Sequence, residues 1–561
     1  MRFINPSWTG PRMLAAWTLI VLAGSGVLAT QASAKGGTAK PPQNAVSPIV
    51  TPTLPDPAWS ADPTQLLGFD VTGYIQASTV GNEGCPNETD KSRWGGSVTI
   101  NGTTITVPCN LVVQLPANTL TWSDFVGDGT LAPLDLKTGV GKIFPSVGFE
   151  LHAVGNTVGG KDIAGLIYVS QQSTNGGSGT IKTIAYATGT LTLDNGTVIQ
   201  INDPKGRFGL AHSPDERFSV DDANPTIHAA TGYPMCVPRT DPSQQDDALC
   251  PQKNRPKAAD AGGCRNFSVA GVVPPASGEL SRPAPGQVYC SQYVMPAPGA
   301  ATGPDPRQQA PFEVGDFIQY SGTLLADGTV SANTIEANLG IYTQPGTQPA
   351  YVAIGEFGVG SADPSATAVS GVAQETADRI FLESETTDVK TPVDIYMMDV
   401  NKDTGAITNR WITPYEMTGE NQAGIPSGGI TTQYTGPQPQ RARIRATKAP
   451  TGLLSQPTRT VRVVQRTLCQ PQPVAAGAPP APYDQAALDK CLNDAPHVAN
   501  DLKAGQYLAP VFEYIFPENV KPGDAVVPND LWHLPFLRFG EGATTQSDVG
   551  PSVGALSPTP W

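Results

Sequence analysis

Hydrophobic and polar residues alternate with a period of two over much of the chain, the pattern of strands with one buried face. Phe69-Asp-Val-Thr-Gly-Tyr-Ile75 alternates in this way, as does Ser97-Val-Thr-Ile100. Asn101-Gly102 then leads into Thr104-Ile-Thr-Val107. An Asn-Gly between alternating β-branched residues predicts a hairpin, because both central positions of the tight turn need positive φ. The pattern returns at Asn195-Gly196, with an Asp-Gly counterpart at Asp327-Gly328. Ile163 to Ser170 is apolar almost throughout and predicts a central strand buried on both faces.

After residue 202 the texture changes. Prolines become dense from Tyr233, apolar periodicity fades, and Cys236, Cys250, Cys264 and Cys290 appear before strand texture resumes at Phe312. Residues 203–311 are therefore expected to be a disulfide-stapled insertion in a β-domain spanning 65–345. Residues 346–468 predict a second unit, an immunoglobulin-like β-sandwich. Its strands are Arg379–Glu385, Val393–Val400, Arg441–Thr447 and Thr458–Thr467, the last two as a pair. Residues 469–561 form a C-terminal segment with one short helix near Tyr483–Leu492. The expected fold class is all-β: an OB-like β-barrel domain followed by a sandwich.

The first residues change the picture of where this happens. Arg2 and Arg12 supply a positive n-region before an apolar run, Met13–Ala29, and Ala32-Ser33-Ala34 offers small residues for cleavage. Residues 1–34 thus predict a signal peptide, residues 35–64 a Pro-rich linker, and the mature chain a secreted protein, periplasmic or extracellular, with no membrane span. In that compartment eight cysteines predict four disulfides. Cys85–Cys109 and Cys469–Cys491 are the expected outer pairs, while the middle four allow three connectivities. Each would stabilise the fold by roughly 3–4 kcal/mol in the chain-entropy picture.

Charged residues make up only 15% of the 561-residue chain, while Gly and Pro number 59 and 55, which suits a loop-rich β-protein. The formal charge of −14 falls to −16 once Arg2 and Arg12 leave with the signal. That balance opposes binding to nucleic acid.

The hairpin Gly102-Thr-Thr-Ile-Thr-Val107 and the segment Val314-Gly-Asp-Phe-Ile-Gln-Tyr-Ser-Gly-Thr-Leu-Leu-Ala-Asp-Gly-Thr-Val-Ser-Ala-Asn-Thr-Ile-Glu336 carry a resemblance. Together they resemble a bacterial extracytoplasmic family that repeats a small OB-like barrel and has no established activity. The resemblance implies fold and location, covering about a tenth of the chain.

Motifs for phosphate loops and zinc proteases are absent from the sequence. The most polar stretch, Ile201–Asn224, gathers Asp203, Asp215, Glu216, Asp221 and Asp222 around His212, with His228 just beyond. It reads first as a surface loop whose acids cap turns and pair with Arg207 and Arg217. The same acids could instead hold calcium or serve glycoside hydrolysis. Asp399, Asn401 and Asp403 place oxygens at alternate positions before Gly405, a candidate calcium site, although Thr404 and Arg410 stand where an EF-hand needs glycine and glutamate. Arg441, Arg443 and Arg445 should share one strand face, with Arg462 on a neighbouring strand and Glu383, Glu385 and Asp388 as balancing acids. Trp94, Trp122, Trp411 and Trp532 could stack on sugars or fill the core.

These features favour a secreted binding or structural protein of the cell surface or matrix, with a polysaccharide or protein ligand and no cofactor, structural calcium at Asp399, Asn401 and Asp403 being the one candidate. The alternative is a secreted polysaccharide hydrolase using the 203–222 carboxylates.

Overall fold

The computed structural model describes residues 67–127, 149–257, 259–260, 264 and 288–360, with short breaks at 84–85, 87, 110, 159–160, 171–173, 222 and 301–302. Beyond these it describes 380–388, 393–400, 407–412, 441–446, 460–469, 485–493, 497–498, 501–510 and 513–515. The signal, the linker, Cys85, Asp222, Asn401, Asp403 and Trp532 lie outside the described residues.

The protein is built of strands with two short α-helices among the described residues. The region expected to be one barrel contains two, each of five strands. The first comprises β1 (Leu67–Gly81), β2 (Gly95–Ile100), β3 (Thr103–Val107), β4 (Glu150–Val158) and β5 (Lys161–Val169). The second comprises β6 (Asn175–Ala185), β7 (Thr190–Leu193), β8 (Val198–Ile201), β9 (Phe317–Leu324) and β10 (Val330–Ala337). Both follow one path: a three-strand meander, a crossing, then a hairpin that pairs back onto the first strand. Parallel pairing of third and fifth strands closes each, with Ile105 opposite Asp162 and Ile199 opposite Val330. That order is the OB-like one expected from the sequence.

Alternation explains the interiors. Val98, Ile100, Ile105 and Val107 point into the first barrel, and Leu191, Leu193, Ile199 and Ile201 into the second, all buried. Even the irregularities match. In the first barrel Val154 faces Leu166 and Gly155 faces Ala164, leaving Gly165 over. In the second, Ser321 faces Thr334 and Gly322 faces Ala332, leaving Asn333 over. A β-carbon on Gly155 would lie 2.0 Å from the Ile163 carbonyl oxygen, and one on Gly322 2.2 Å from that of Ser331. Each bulge therefore needs glycine.

The inserts between third and fourth strands set the barrels apart. Both begin alike, adding a strand parallel to the fifth: Val112–Gln114 pairs Val113 with Ile167, and Ile227–Ala229 pairs Ile227 with Ile335. In the first barrel, helix α1 (Trp122–Val126) then carries Trp122 and Phe125 into the core, and the Trp122 indole donates to Thr79 O at 2.9 Å. In the second, the long insert is stapled by Cys236–Cys250 and Cys264–Cys290, which settles the pairing that sequence left open. Cys469–Cys491 forms as expected, and Cys109 is disulfide-bonded.

Beyond the barrels are two four-stranded sheets. One runs β15 (Arg441–Ala446), β12 (Ile380–Thr386), β11 (Val352–Gly360), β18 (Glu513–Ile515). The other runs β14 (Ile407–Ile412), β13 (Val393–Val400), β16 (Thr460–Gln465), β17 (Gln506–Pro510). The expected pairing of Arg441–Thr447 with Thr458–Thr467 does not form, because β15 pairs with β12 while β16 lies between β13 and β17. Alternation marks a strand's faces but does not choose its neighbour. Helix α2 (Gln485–Asn493) sets Leu488 and Leu492 against Tyr396, Val464 and Cys469, its end held by the Cys469–Cys491 bond.

Candidate functional site

The acid-rich segment 203–224 is a joint, not the solvated loop expected from its polarity. Asp203 is fully buried, its carboxylate accepting from the backbone N–H groups of Lys205 at 3.1 Å and Phe208 at 2.7 Å. Asp215 caps the short turn Glu216–Phe218 and pairs with buried Arg217 at 3.2 Å. Arg217 Nε in turn donates to Phe125 O of the first barrel at 2.8 Å, and Phe218 stacks on Phe149 at 5.0 Å between centroids. The second barrel's insert thus finishes the first barrel's core.

Asp221 joins the same segment to the β17 sheet. Its carboxylate accepts from Ala223 N at 2.6 Å, Asn224 N at 3.1 Å and Asn224 Nδ2 at 2.8 Å. Burial pushes its pKa up to about 6, opposed by those donors and by Arg207. The Asn224 side chain so held accepts from Leu508 N at 2.8 Å and donates to Leu508 O, imitating a neighbouring strand. The expectation that these acids cap turns describes their bonds; what it missed is that satisfied polar groups can be buried. Glu216 is exposed, His212 pairs backbone to backbone with Asp203, and His228 is buried with its ring 2.7 Å from Ala229 O. Asp203, Asp215 and Asp221 each have both carboxylate oxygens engaged, which leaves these three without the spare oxygens that paired acid catalysis requires.

The remaining sequence candidates are dispersed. Asp399 lies near the end of β13, and its two companions fall outside the described residues. Among the described residues no group of three or more His, Cys, Asp or Glu side chains is placed to hold a metal ion. Register sets Arg441 opposite Glu385 and Arg443 opposite Glu383, but Arg462 belongs to the other sheet. Trp122 is core, and Trp94 is half-buried with its indole donating to Glu88 O at 3.1 Å.

A different cluster, on the stapled insert where it enters β9, has the features of a binding site. Arg255 and Asp316, both about 1% exposed, form a two-pronged ion pair at 2.6 and 2.8 Å, and Arg255 also donates to Pro311 O at 2.8 Å. Asp316 then accepts from Glu313 N at 2.8 Å, which fixes the turn carrying Glu313. The Cys264–Cys290 bond and the backbone bridge between Lys257 and Tyr289 hold the facing wall. Arg255 and Lys257 lie 5.7 and 5.2 Å from the centre of the Tyr289 ring.

Glu313 is 7% exposed and takes hydrogen bonds from the Gln252 amide and the Tyr289 phenol. Burial pushes its pKa up to about 7, with Asp316 adding to the rise and Arg255 and Lys257 opposing it. The Tyr289 phenol is raised to about 12 by burial and by Glu313, and Tyr186 is raised by burial and the same carboxyl. Tyr186 and Tyr289 stay half-buried, and Val288 and Val314 beside them are 58% and 54% exposed. Near neutral pH this carboxyl can donate or accept, with a phenol, an amide and an ammonium around it. The neighbouring carboxylate, Asp316, is locked by Arg255, so the cluster offers one working acid, not two.

Sequence reading passed over this site because its parts come from residues 186, 252–257, 289 and 313–316. Only Val314-Gly-Asp316 drew notice, as a barrel motif. Disulfide bonds staple the second barrel's insert and the end of α2, and among the described residues no helix is long and apolar enough to cross a membrane. Comparison with known proteins found no matching family model, curated protein or solved structure.

Proposed function

We propose that this is an exported binding protein of the cell surface or surrounding matrix, whose welded β-units present the Glu313 cluster to a polyhydroxylated ligand such as a surface polysaccharide. The observation that carries the reading is the use of the 203–224 acids. Asp203 is taken up in its own turn, and Asp215 and Asp221 hold the residues that join barrel to barrel and barrel to sheet, which supports a scaffold over an acid pair drawn from these three residues. The Glu313 carboxyl, Gln252 amide and half-buried tyrosines match the hydroxyls and C–H faces of a sugar. On this reading the two four-stranded sheets are an immunoglobulin-like sandwich, the tandem barrels belong with the extracytoplasmic repeat family, and the signal peptide directs the chain out of the cell.

The test is co-sedimentation of residues 35–561 with insoluble polysaccharides, with released reducing sugar assayed in the supernatant. Saturable pelleting without sugar release, weakened about tenfold by Tyr186→Ala with Glu313→Ala, is the expected result. Sugar release abolished by Glu313→Gln would replace binding with hydrolysis. Pelleting with neither polysaccharides nor envelope fractions would remove glycans as the ligand.

A further inference from the structure

Arg462 leaves the arginine stripe that the sequence suggested and is buried beneath α2, at 3% exposure. Its Nη1 donates to Leu492 O at 2.9 Å, near the C-terminal end of α2, where the helix dipole favours a cation. Its Nε has no hydrogen-bond partner among the described residues. The nearby acid, Asp489, is engaged elsewhere, one oxygen accepting from Asn409 N at 2.8 Å and from Asn409 Nδ2 at 2.7 Å.

Two further side chains converge here. In the β16–β17 register Arg462 faces Leu508 and Val464 faces Gln506, so Gln506 is the diagonal neighbour of Arg462 on the same sheet face. Such neighbours stand about 7–8 Å apart, within reach of long side chains. Gln506 is 2% exposed, and neither its amide nitrogen nor its amide oxygen has a partner among the described residues. Lys503, half-buried, is close enough to Arg462 for the two charges to repel. Burial, followed by that repulsion, holds Lys503 below its ordinary value against the pull of Asp221 and Asp501, and burial brings Arg462 down to about 10 against Asp489 and Tyr396. Asp221 and Asp501 act on Lys503, and Asp489 on Arg462, but none is hydrogen-bonded to the Arg462 Nε or the Gln506 amide. A buried guanidinium edge and an amide with both ends idle, beside an ammonium, can therefore take a carboxylate with a hydroxyl next to it.

We propose that Arg462, Lys503 and Gln506 form a binding site for a small hydroxy-carboxylate, as a free hydroxy acid or as the acidic unit of a sugar. The guanidinium Nε and the ammonium take the two carboxylate oxygens. The Gln506 amide donates to the carboxylate, and its oxygen accepts from the adjacent hydroxyl. This site is independent of the Glu313 cluster and stands or falls without it.

Isothermal titration calorimetry on the disulfide-intact mature chain tests it with glycolate, glucuronate and acetate at constant ionic strength. Saturable binding of glycolate, about tenfold tighter than acetate, is expected. Lys503→Gln should abolish it, and Gln506→Ala should bring glycolate down to the acetate level. Glucuronate binding assigns the site to sugar acids, and binding of glycolate alone assigns it to free hydroxy acids. Because Arg462→Lys could disturb the α2 end, the two milder variants, checked for folding by circular dichroism, decide the matter. No saturable binding by the wild-type chain, or glycolate binding unchanged in both variants, overturns the proposal.

Discussion

The two barrels are a comparison that the molecule makes within itself. Their strands share order, closing pair, bulges and even the strand added to the fifth. Among the described residues their inserts share only the added strand. One insert becomes a five-residue helix that fills its own barrel; the other becomes a stapled segment that fills its neighbour, latches to β17 and builds the Glu313 cluster. Barrel strands are constrained from both faces by closure, whereas the insert is free to reach outward. What distinguishes the two copies is therefore what each sends across to the rest of the molecule.

The largest way to break that relation is Arg217→Ala. It leaves Asp215 buried without its partner and removes the donor to Phe125 O, so a loss of about 3–5 kcal/mol is expected, read by chemical denaturation. The first barrel should fail although the substitution lies in the second barrel's insert, which tryptophan emission from Trp122 would report. Next come the paired bulges. Gly155→Ala and Gly322→Ala should each cost about 3 kcal/mol, because both press a β-carbon into a backbone carbonyl. Unequal losses would mean that the two bulges are not equivalent.

Removing Cys236–Cys250 by double replacement with serine should cost about 3 kcal/mol, the figure for a loop of this length, and should act on the second barrel's insert alone. Intact amide-exchange protection in β2 and β3 would confirm that localisation. Smallest is Glu313→Gln. A carboxyl raised from 4.5 to about 7 by folding contributes stability that is complete below pH 4.5 and lost as pH rises through 7. The glutamine variant should match wild type near pH 4.5 and exceed it by about 2 kcal/mol at pH 8, measured by urea titration. An advantage at acid pH instead would reverse the assignment of burial as the cause.

The hairpins were legible because their turns carry their own chemistry. Asn101 and Gly102 both take positive φ, whereas at Asn195-Gly196 and Asp327-Gly328 the glycine alone does, so these two hairpins form with a different turn from the one expected. The helix 485–493 was legible from its apolar spacing, and the outer pairing Cys469–Cys491 from its proximity in sequence. The second barrel was hidden. Aligned on their bulges, Gly155, Ala164 and Ile167 correspond to Gly322, Ala332 and Ile335, with one residue more in the second hairpin turn. Matched spacing of those residues, with Val147-Gly148 and Val314-Gly315 ahead of them, was the available signal. Strand neighbours in the later sheets were not legible, since the choice of partner depends on surfaces brought together from afar. The same holds for Arg255 with Asp316 and for Arg462 with Gln506, whose meaning lies in burial that no local pattern encodes.

The reach of Asn224 to Leu508 also has a consequence in time. A chain emerges N-terminus first, so its early parts wait for partners still being made. The first barrel lacks Phe218 until the second is well under way, and the Asn224 latch closes across 284 residues. At about 5–20 residues per second, that gap is roughly 15–60 s of synthesis. For that interval Asp221 and Asn224 stand without the β17 edge they are shaped to meet. Assembly of this protein thus ends on a long-range closure, and whatever guards the chain during its birth must hold it until residue 508 has arrived.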